Sequence, residues 1–294
     1  MKIVEENFIK IYEKSFIENW DLPALSEYTT RQSLTYAELA QSIALCHMLF
    51  KSIGLKQGDK VAICGKDSIS WVVTYMAVVT YGAVIVPILP EFNPLDITHI
   101  INHSEAELLF ISESIWEHID PSSLLKVRGV MSLDNRTLLF ESQGMEISRE
   151  QRLLRRRFRT KYPDGYKSTD IHYARRDNSK PVEINYTSGT TGFSKGVVLT
   201  GRSLAGNVCF GIATQLHFRS SRALAFLPLA HAYGCAFDML TPLAVGSHIT
   251  LLCKVPSPRV LLKAFAQVRP NLIICVPLIL EKIYKNQILP MISK

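Results

Sequence analysis

The sequence predicts an α/β protein made of two α/β subdomains, each with a mainly parallel sheet flanked by helices. Three observations predict this. Short, largely apolar runs rich in Val, Ile and Ala, as at residues 59–64 and 83–88, suit strands buried on both faces. Longer segments with capping residues and helical spacing fall between them. The alternation then recurs in the second half of the 294 residues, as right-handed strand–helix–strand crossovers require.

In chain order, residues 33–53 read as an amphipathic helix whose inner face includes Leu39, Ile43, Leu45 and Leu49. A strand at 59–64 follows Gly58, and Ser68 is placed to cap a helix over 68–81. A strand at 83–88 comes next. Asn93 and Pro94 open a helix through His103, with proline in its first turn. Strands are expected at 107–111 and 127–133, with a short helical segment from Ser112 to near Pro121 between them. Residues 140–180 are polar, basic and poor in strand signals, with a helix at 152–159 and a turn at 162–165. Strands then follow at 182–186, 222–227, 248–252 and 272–276, and helices at 201–215, 259–268 and 278–288. The change in composition divides the chain into residues 1–175, with an N-terminal helical region and the basic segment, and residues 176–294, which begin with a glycine-rich loop.

Composition excludes several classes. With 47% hydrophobic and 20% charged residues the chain is globular. The net charge of +7 is local: residues 151–180 hold ten basic side chains against three acids, so the rest is neutral. Such a run is ordinarily a solvated face. Anionic lipid, nucleic acid and substrate phosphates are the alternatives for it, and no nucleic-acid partner is assigned. The six cysteines are widely spaced and form no C-x-x-C pair, which suits buried thiols in a reducing cytoplasm and argues against zinc. The N-terminus mixes Glu5, Glu6, Glu13 and Glu18 with apolar residues, unlike a signal peptide. Residues 68–90 are uncharged and long enough to cross a bilayer, yet Gly82 and Pro87 interrupt them and Val84, Ile85 and Val86 are strand formers. A buried helix followed by a buried strand accounts for them.

The sharpest signal is Tyr186-Thr187-Ser188-Gly189-Thr190-Thr191-Gly192-Phe193-Ser194-Lys195-Gly196. Gly189, Gly192 and Gly196 let the backbone curve closely around an anion, with successive N–H groups turned inward. Ser188, Thr190 and Thr191 add hydroxyls, and Lys195 adds a mobile cation for β- and γ-phosphates. The loop follows a strand but is not a Walker A motif, since Gly196 rather than Ser or Thr comes after the lysine. His231 follows an apolar strand, in Pro228-Leu229-Ala230-His231-Ala232-Tyr233-Gly234. By itself it reads as a hydrogen-bonded core histidine. His99 and His103, four apart on a helix, have no third ligand nearby and read as a helix-surface pair, so no metal ligands are assigned.

Residues 186–197 closely resemble the signature loop of adenylate-forming enzymes, the family of acyl-CoA synthetases, peptide-synthetase adenylation domains and luciferases. Ser194 stands where that loop usually has proline. The resemblance extends to Gly58-Asp59-Lys60-Val61-Ala62, to Gly82-Ala83-Val84 through Pro87, to Asn102-His103-Ser104-Glu105-Ala106, and to residues 227–234 as a second motif. Val276-Pro277 with Glu281-Lys282-Ile283-Tyr284 resembles the long-chain fatty acid–CoA ligase branch. The resemblance implies the N-terminal part of a ligase that joins a fatty acid to ATP as acyl-adenylate, releases pyrophosphate and passes the acyl group to coenzyme A. It implies Thr187, Ser188, Gly189, Thr190, Thr191, Gly192 and Lys195 as nucleotide-binding residues. Lys195 and His231 are the catalytic candidates, His231 lining the pocket shared by acyl group and nucleotide.

The family normally adds an aromatic-Gly-x-Thr-Glu motif whose glutamate binds Mg²⁺, a ribose-binding aspartate, a hinge and a small domain with a catalytic lysine. None of these is found before Lys294, so the principal Mg²⁺ ligand is expected beyond it and the chain alone is expected to be inactive. An incomplete sheet predicts self-association. Peripheral membrane contact is open for an enzyme of lipid substrates. A non-catalytic nucleotide- or partner-binding module, or an adenylating enzyme for another acid, is the alternative function.

Overall fold

Local capping sets where most helices begin. In the computed structural model, which describes residues 6–187 and 195–289, Asn7 accepts the Lys10 amide and starts α1 (Phe8–Glu18), which buries Phe8, Ile9, Ile11, Tyr12 and Phe16. Two strands then appear where none is expected, β1 (Pro23–Glu27) and its antiparallel partner β2 (Ser33–Thr35). The helix expected from residue 33 therefore starts later, as α2 (Tyr36–Ser52). Thr35 closes a capping box: its Oγ1 accepts the Glu38 amide at 3.2 Å, while the Glu38 carboxylate accepts the Thr35 amide at 2.8 Å. Counting 3.6 residues per turn from Leu39 and Ile43, the inward face falls on Cys46 and Phe50, and Leu45 stays half-buried.

The next elements lie within a few residues of their expected places: β3 (Lys60–Cys64), α3 (Ile69–Tyr81), β4 (Val84–Ile88), α4 (Pro94–His103), β5 (Leu108–Ile111), α5 (Glu113–Trp116) and β6 (Gly129–Ser132). Ser68 caps α3 by accepting the Trp71 amide, Asn93 caps α4 by accepting the Asp96 amide, and Gly82 ends α3 at φ +86°. The region read as strand-poor contains β7 (Leu138–Glu141), antiparallel to β6, and then α6 (Ile147–Lys161), longer than expected and anchored by buried Ile147 and Phe158. Arg152, Arg155, Arg156, Arg157 and Arg159 are exposed on it.

The second half runs β8 (Pro181–Thr187), β9 (Lys195–Thr200), α7 (Gly201–Ala213), β10 (Arg222–Ala225), the single turn α8 (Ala232–Gly234), a π-helical stretch at Cys235–Leu240, α9 (Thr241–Val245), β11 (His248–Leu251), α10 (Pro258–Val268) and α11 (Pro277–Ile283). α11 continues as a π-helical turn at Tyr284–Ile288. Strand β9 is unforeseen. Residues 272–276 do not form the expected strand: Leu272 makes one bridge to Ala223, and the segment then stays irregular.

Seven strands form one sheet in the order β7-β6-β5-β3-β4-β8-β9, and four form another in the order β10-β11-β1-β2. Most neighbours are parallel, with antiparallel pairs at β6–β7, β8–β9 and β1–β2. The sheets draw strands from both sides of residue 175, since β1 and β2 join β10 and β11 while β8 and β9 join the larger sheet. Alternation along β3 assigns its faces: Val61 and Ile63 enter the main core with α1, α2 and α3, whereas Ala62 and Cys64 face a second core with Ile97, Ile100 and Ile101 of α4. On β10, Ala223 and Ala225 point to the same main core and Leu224 to a third, under α10. One helical layer thus lies between the two sheets.

The uncharged run at 68–90 is α3 plus β4, both buried. No helix among the described residues is long and apolar enough to cross a membrane. Thr35→Ala removes one half of the capping box and is expected to cost about 1 kcal/mol, read as a lower urea midpoint with an unchanged denaturant slope.

Candidate active site

Strand β8 carries the glycine-rich segment and β9 receives it. Their antiparallel ladder runs to its last pairs, Tyr186↔Gly196 and Thr187↔Lys195. Thr187 and Lys195 therefore face each other across the open end of a hairpin, and both are exposed. Ser188, Gly189, Thr190, Thr191 and Gly192 lie outside the described residues. Gly196 lets the strand pass close to its neighbours: a Cβ there would come within 3.2 Å of Ile184 Cγ2 and of the Tyr186 ring, which would have to shift slightly. Tyr186 is held from the other side, its hydroxyl 2.7 Å from His103 Nδ1 on α4. His103 is therefore not only half of a surface pair with His99, whose ring lies 5.6 Å away; it braces the root of the loop.

The second motif emerges from the carboxyl end of β10. His231 is not the core histidine its position alone suggests. Its ring is exposed, and it caps α8 by accepting the Tyr233 amide on Nδ1 at 3.3 Å. A neutral ring that accepts at Nδ1 carries its proton on Nε2, which leaves that nitrogen able to donate a hydrogen bond. Gly234 permits the tight turn beneath it, because a Cβ would stand 2.5 Å from the Pro228 carbonyl oxygen. The π-helical turn that follows widens the helix at this point, a feature common beside functional sites.

A cavity of about 220 Å³ opens where the carboxyl ends of strands from both sheets converge. Its walls include Lys66, Asp67, Glu91, Phe226, Ala230 and Lys254. Ligands of open α/β sheets bind at such carboxyl ends, and Ala230 brings the wall to the residue before His231.

Three acids that sequence reading passed over hold this region together. Asp67 accepts the Leu229 amide on both carboxylate oxygens, at 3.2 Å each. Asp238 accepts the Leu227 amide at 3.4 Å. Glu183, on β8, accepts from the Tyr75 hydroxyl and from Asn185 Nδ2, and Cys235 Sγ lies 3.9 Å from its Oε2. No Lys, Arg or His forms an ion pair with any of the three among the described residues. Burial consequently pushes each carboxyl up, Asp67 and Glu183 to about 7 and Asp238 to about 8. The Glu91 charge adds to the effect at Asp67, and amide hydrogen bonds oppose it at Asp67 and Asp238. A charged residue inside the apolar run Val182-Glu183-Ile184 was the signal that could have found Glu183.

The chain as a whole has relatives among known proteins. The model of the AMP-binding enzyme family matches residues 14–292, and the chain belongs to that family. It is 29% identical over 262 residues to the peroxisomal long chain acyl-CoA synthetase 7 of Arabidopsis thaliana, covering 85% of this chain and 35% of that protein. It is 27% identical over 262 residues to the long-chain-fatty-acid–CoA ligase FadD15 of Mycobacterium bovis, covering 86% and 40%. A naringenin synthase of Pestalotiopsis fici is 26% identical over 217 residues, 73% of this chain and 8% of that protein. The chain thus spans two fifths or less of the length of these curated relatives. In fold it matches the N-terminal domain of FACL13 from Mycobacterium tuberculosis, with a TM-score of 0.76 at 19% identity over 96% of this chain and 66% of that one. The anthranilate CoA ligase AuaEII matches at 0.71 and 18%, over 90% and 48%.

The raised acids make stability depend on pH. Between an ordinary value of 4.5 and about 7, folded Glu183 holds a proton that the unfolded chain has released. Its contribution is full below 4.5 and declines as pH rises through 7, by roughly 3 kcal/mol in all. Glu183→Gln lacks this term, so its stability relative to the native chain should climb between pH 5 and pH 8. Urea unfolding at both pH values checks this, and a constant difference would contradict it.

Proposed function

We propose that the chain provides the phosphate-loop portion of an ATP-dependent ligase that activates a long-chain fatty acid as acyl-adenylate and transfers it to coenzyme A. The observation that carries this is the glycine- and hydroxyl-rich segment ending in Lys195, in a chain of the AMP-binding family. The long-chain acyl-CoA synthetases and ligase among its relatives favour a fatty acid.

The chemistry follows from the donors. The acid's carboxylate attacks the α-phosphorus of ATP, and the bond to the β-phosphate breaks with loss of pyrophosphate. Coenzyme A then attacks the acyl carbon as its thiolate and AMP departs. Charge grows on the leaving phosphates in the first step, so donors held in place accelerate it more than a mobile base would. Thr187, Ser188, Gly189, Thr190, Thr191 and Gly192 supply hydroxyl and amide donors, and Lys195 supplies a cation at the hairpin mouth. His231 offers Nε2–H to the acyl or nucleotide oxygen beside it. Among the described residues no three His, Cys, Asp or Glu side chains are grouped for a metal ion, so none is assigned to Mg²⁺, which accompanies ATP in this reaction.

A different acid is the competing reading. The relatives include a naringenin synthase and a 4-coumarate–CoA ligase-like protein, and AuaEII is named for anthranilate. A binding module without turnover is the other.

Calorimetric titration with ATP and Mg²⁺ should show one binding event, weakened by Lys195→Ala about 10- to 100-fold, the worth of a charge-assisted hydrogen bond. No heat with the native chain would refute nucleotide binding. For the acid, non-hydrolysable acyl-sulfamoyl adenosines separate the readings: the palmitoyl compound should displace ATP at concentrations at least about tenfold below the benzoyl one, a margin of one or two well-buried methylenes. Equal potency would shift the assignment to another acid.

A further inference from the structure

Glu183 has a role that the hairpin and the His231 turn do not explain separately. It is 1% exposed, and it lies four residues before Thr187 on the strand that feeds the phosphate segment. β8 runs parallel to β4 with Glu183 opposite Ile85, so the side chain leaves the larger sheet at the junction of these two strands. Its oxygens face three groups able to donate: the Tyr75 hydroxyl from α3, the Asn185 amide on its own strand, and the Cys235 thiol from the π-helical turn.

Cys235 is the informative neighbour. Its backbone N–H donates to the His231 carbonyl at 2.9 Å, closing the turn that begins at His231. A continuous path therefore runs from Thr187 along β8 to Glu183, across to Cys235 and back to His231. A leucine could fill the same space, but it would leave the Tyr75 hydroxyl and the Asn185 amide without this partner and would free Cys235 from it. The acid therefore fixes where its donors stand.

We propose that Glu183 is a positioning residue that couples the phosphate-loop hairpin to the His231 turn, so that nucleotide held at Lys195 orders the segment that meets the acyl group. The proposal rests on the nucleotide-binding reading above for its ligand arm only. Coupling of this kind is carried by packed groups that both sites bias.

The test is amide hydrogen exchange on the whole chain, with and without ATP and Mg²⁺, in the native protein, Glu183→Leu and Glu183→Gln. In the native chain ATP should slow exchange in β8 and β9 and also across residues 229–238. Glu183→Leu should keep the first protection and lose at least about threefold of the second, and Glu183→Gln, which keeps the shape and two hydrogen-bonding positions, should restore most of it. Undiminished transmission in Glu183→Leu overturns the proposal. So does equal loss of protection at both places, which would mark a merely structural residue. A nucleotide-free arm decides the coupling even if ATP does not bind or Glu183→Leu does not fold. In it, Cys235→Ala should speed exchange at Asn185, Tyr186 and Thr187 selectively, and no selective change there overturns the proposal.

Discussion

Helix α3 must be buried on every side, and much of the structure answers that requirement. From Trp71 to Thr80 no residue of it is charged and all are buried. Such a helix is stable in water only with neighbours all round it. β3 and β4 of the larger sheet, α2, and β1 of the smaller sheet supply them, all within one continuous core. The N-terminal strands therefore belong with β10 and β11, nearly two hundred residues later. Helix α1 is also tied to the second half of the chain, as when Tyr12 Oη donates to the Leu240 carbonyl and Ser15 Oγ to the Leu243 carbonyl.

Burying α3 also buries its polar groups. Tyr75 stacks on Trp71 at 5.5 Å, and its hydroxyl needs a partner inside the core. Glu183 is that partner, so the helix that organises the fold also touches the strand that leads into the glycine-rich segment. Asp67 and Asp238 repeat the device along residues 227–238, each receiving a backbone amide without a compensating cation. These acids fix which amide lies where. The exposed imidazole of His231 can therefore stand in a defined position on a segment that is otherwise irregular.

Much of this was legible in advance. The strands at 60–64, 84–88 and 108–111 were evident because a strand buried on both faces has to be apolar throughout. Ser68 and Asn93 marked helix starts through their own side chains. β1, β2, β7 and β9 were not legible: Pro23–Glu27 opens on a proline and ends on a glutamate, Ser33–Thr35 reads as a helix start, Leu138–Glu141 lies between polar residues, and Lys195–Thr200 follows glycines. Each is a strand because a neighbour offers a ladder. At 272–276 the opposite holds, since apolar β-type residues found only one bridging partner.

The sequence by itself determined the composition of the glycine-rich segment proposed to hold phosphate and the kind of fold around it. Glycines, hydroxyls and a lysine act through their own backbone and side chains, and burial on two faces writes itself into composition. Tertiary structure decided the exposure of His231, the pairing of His103 with Tyr186 and the meeting of Glu183 with Tyr75 and Cys235. Those depend on contacts between residues 50 to 110 positions apart, and no local pattern encodes them because the partners share no segment.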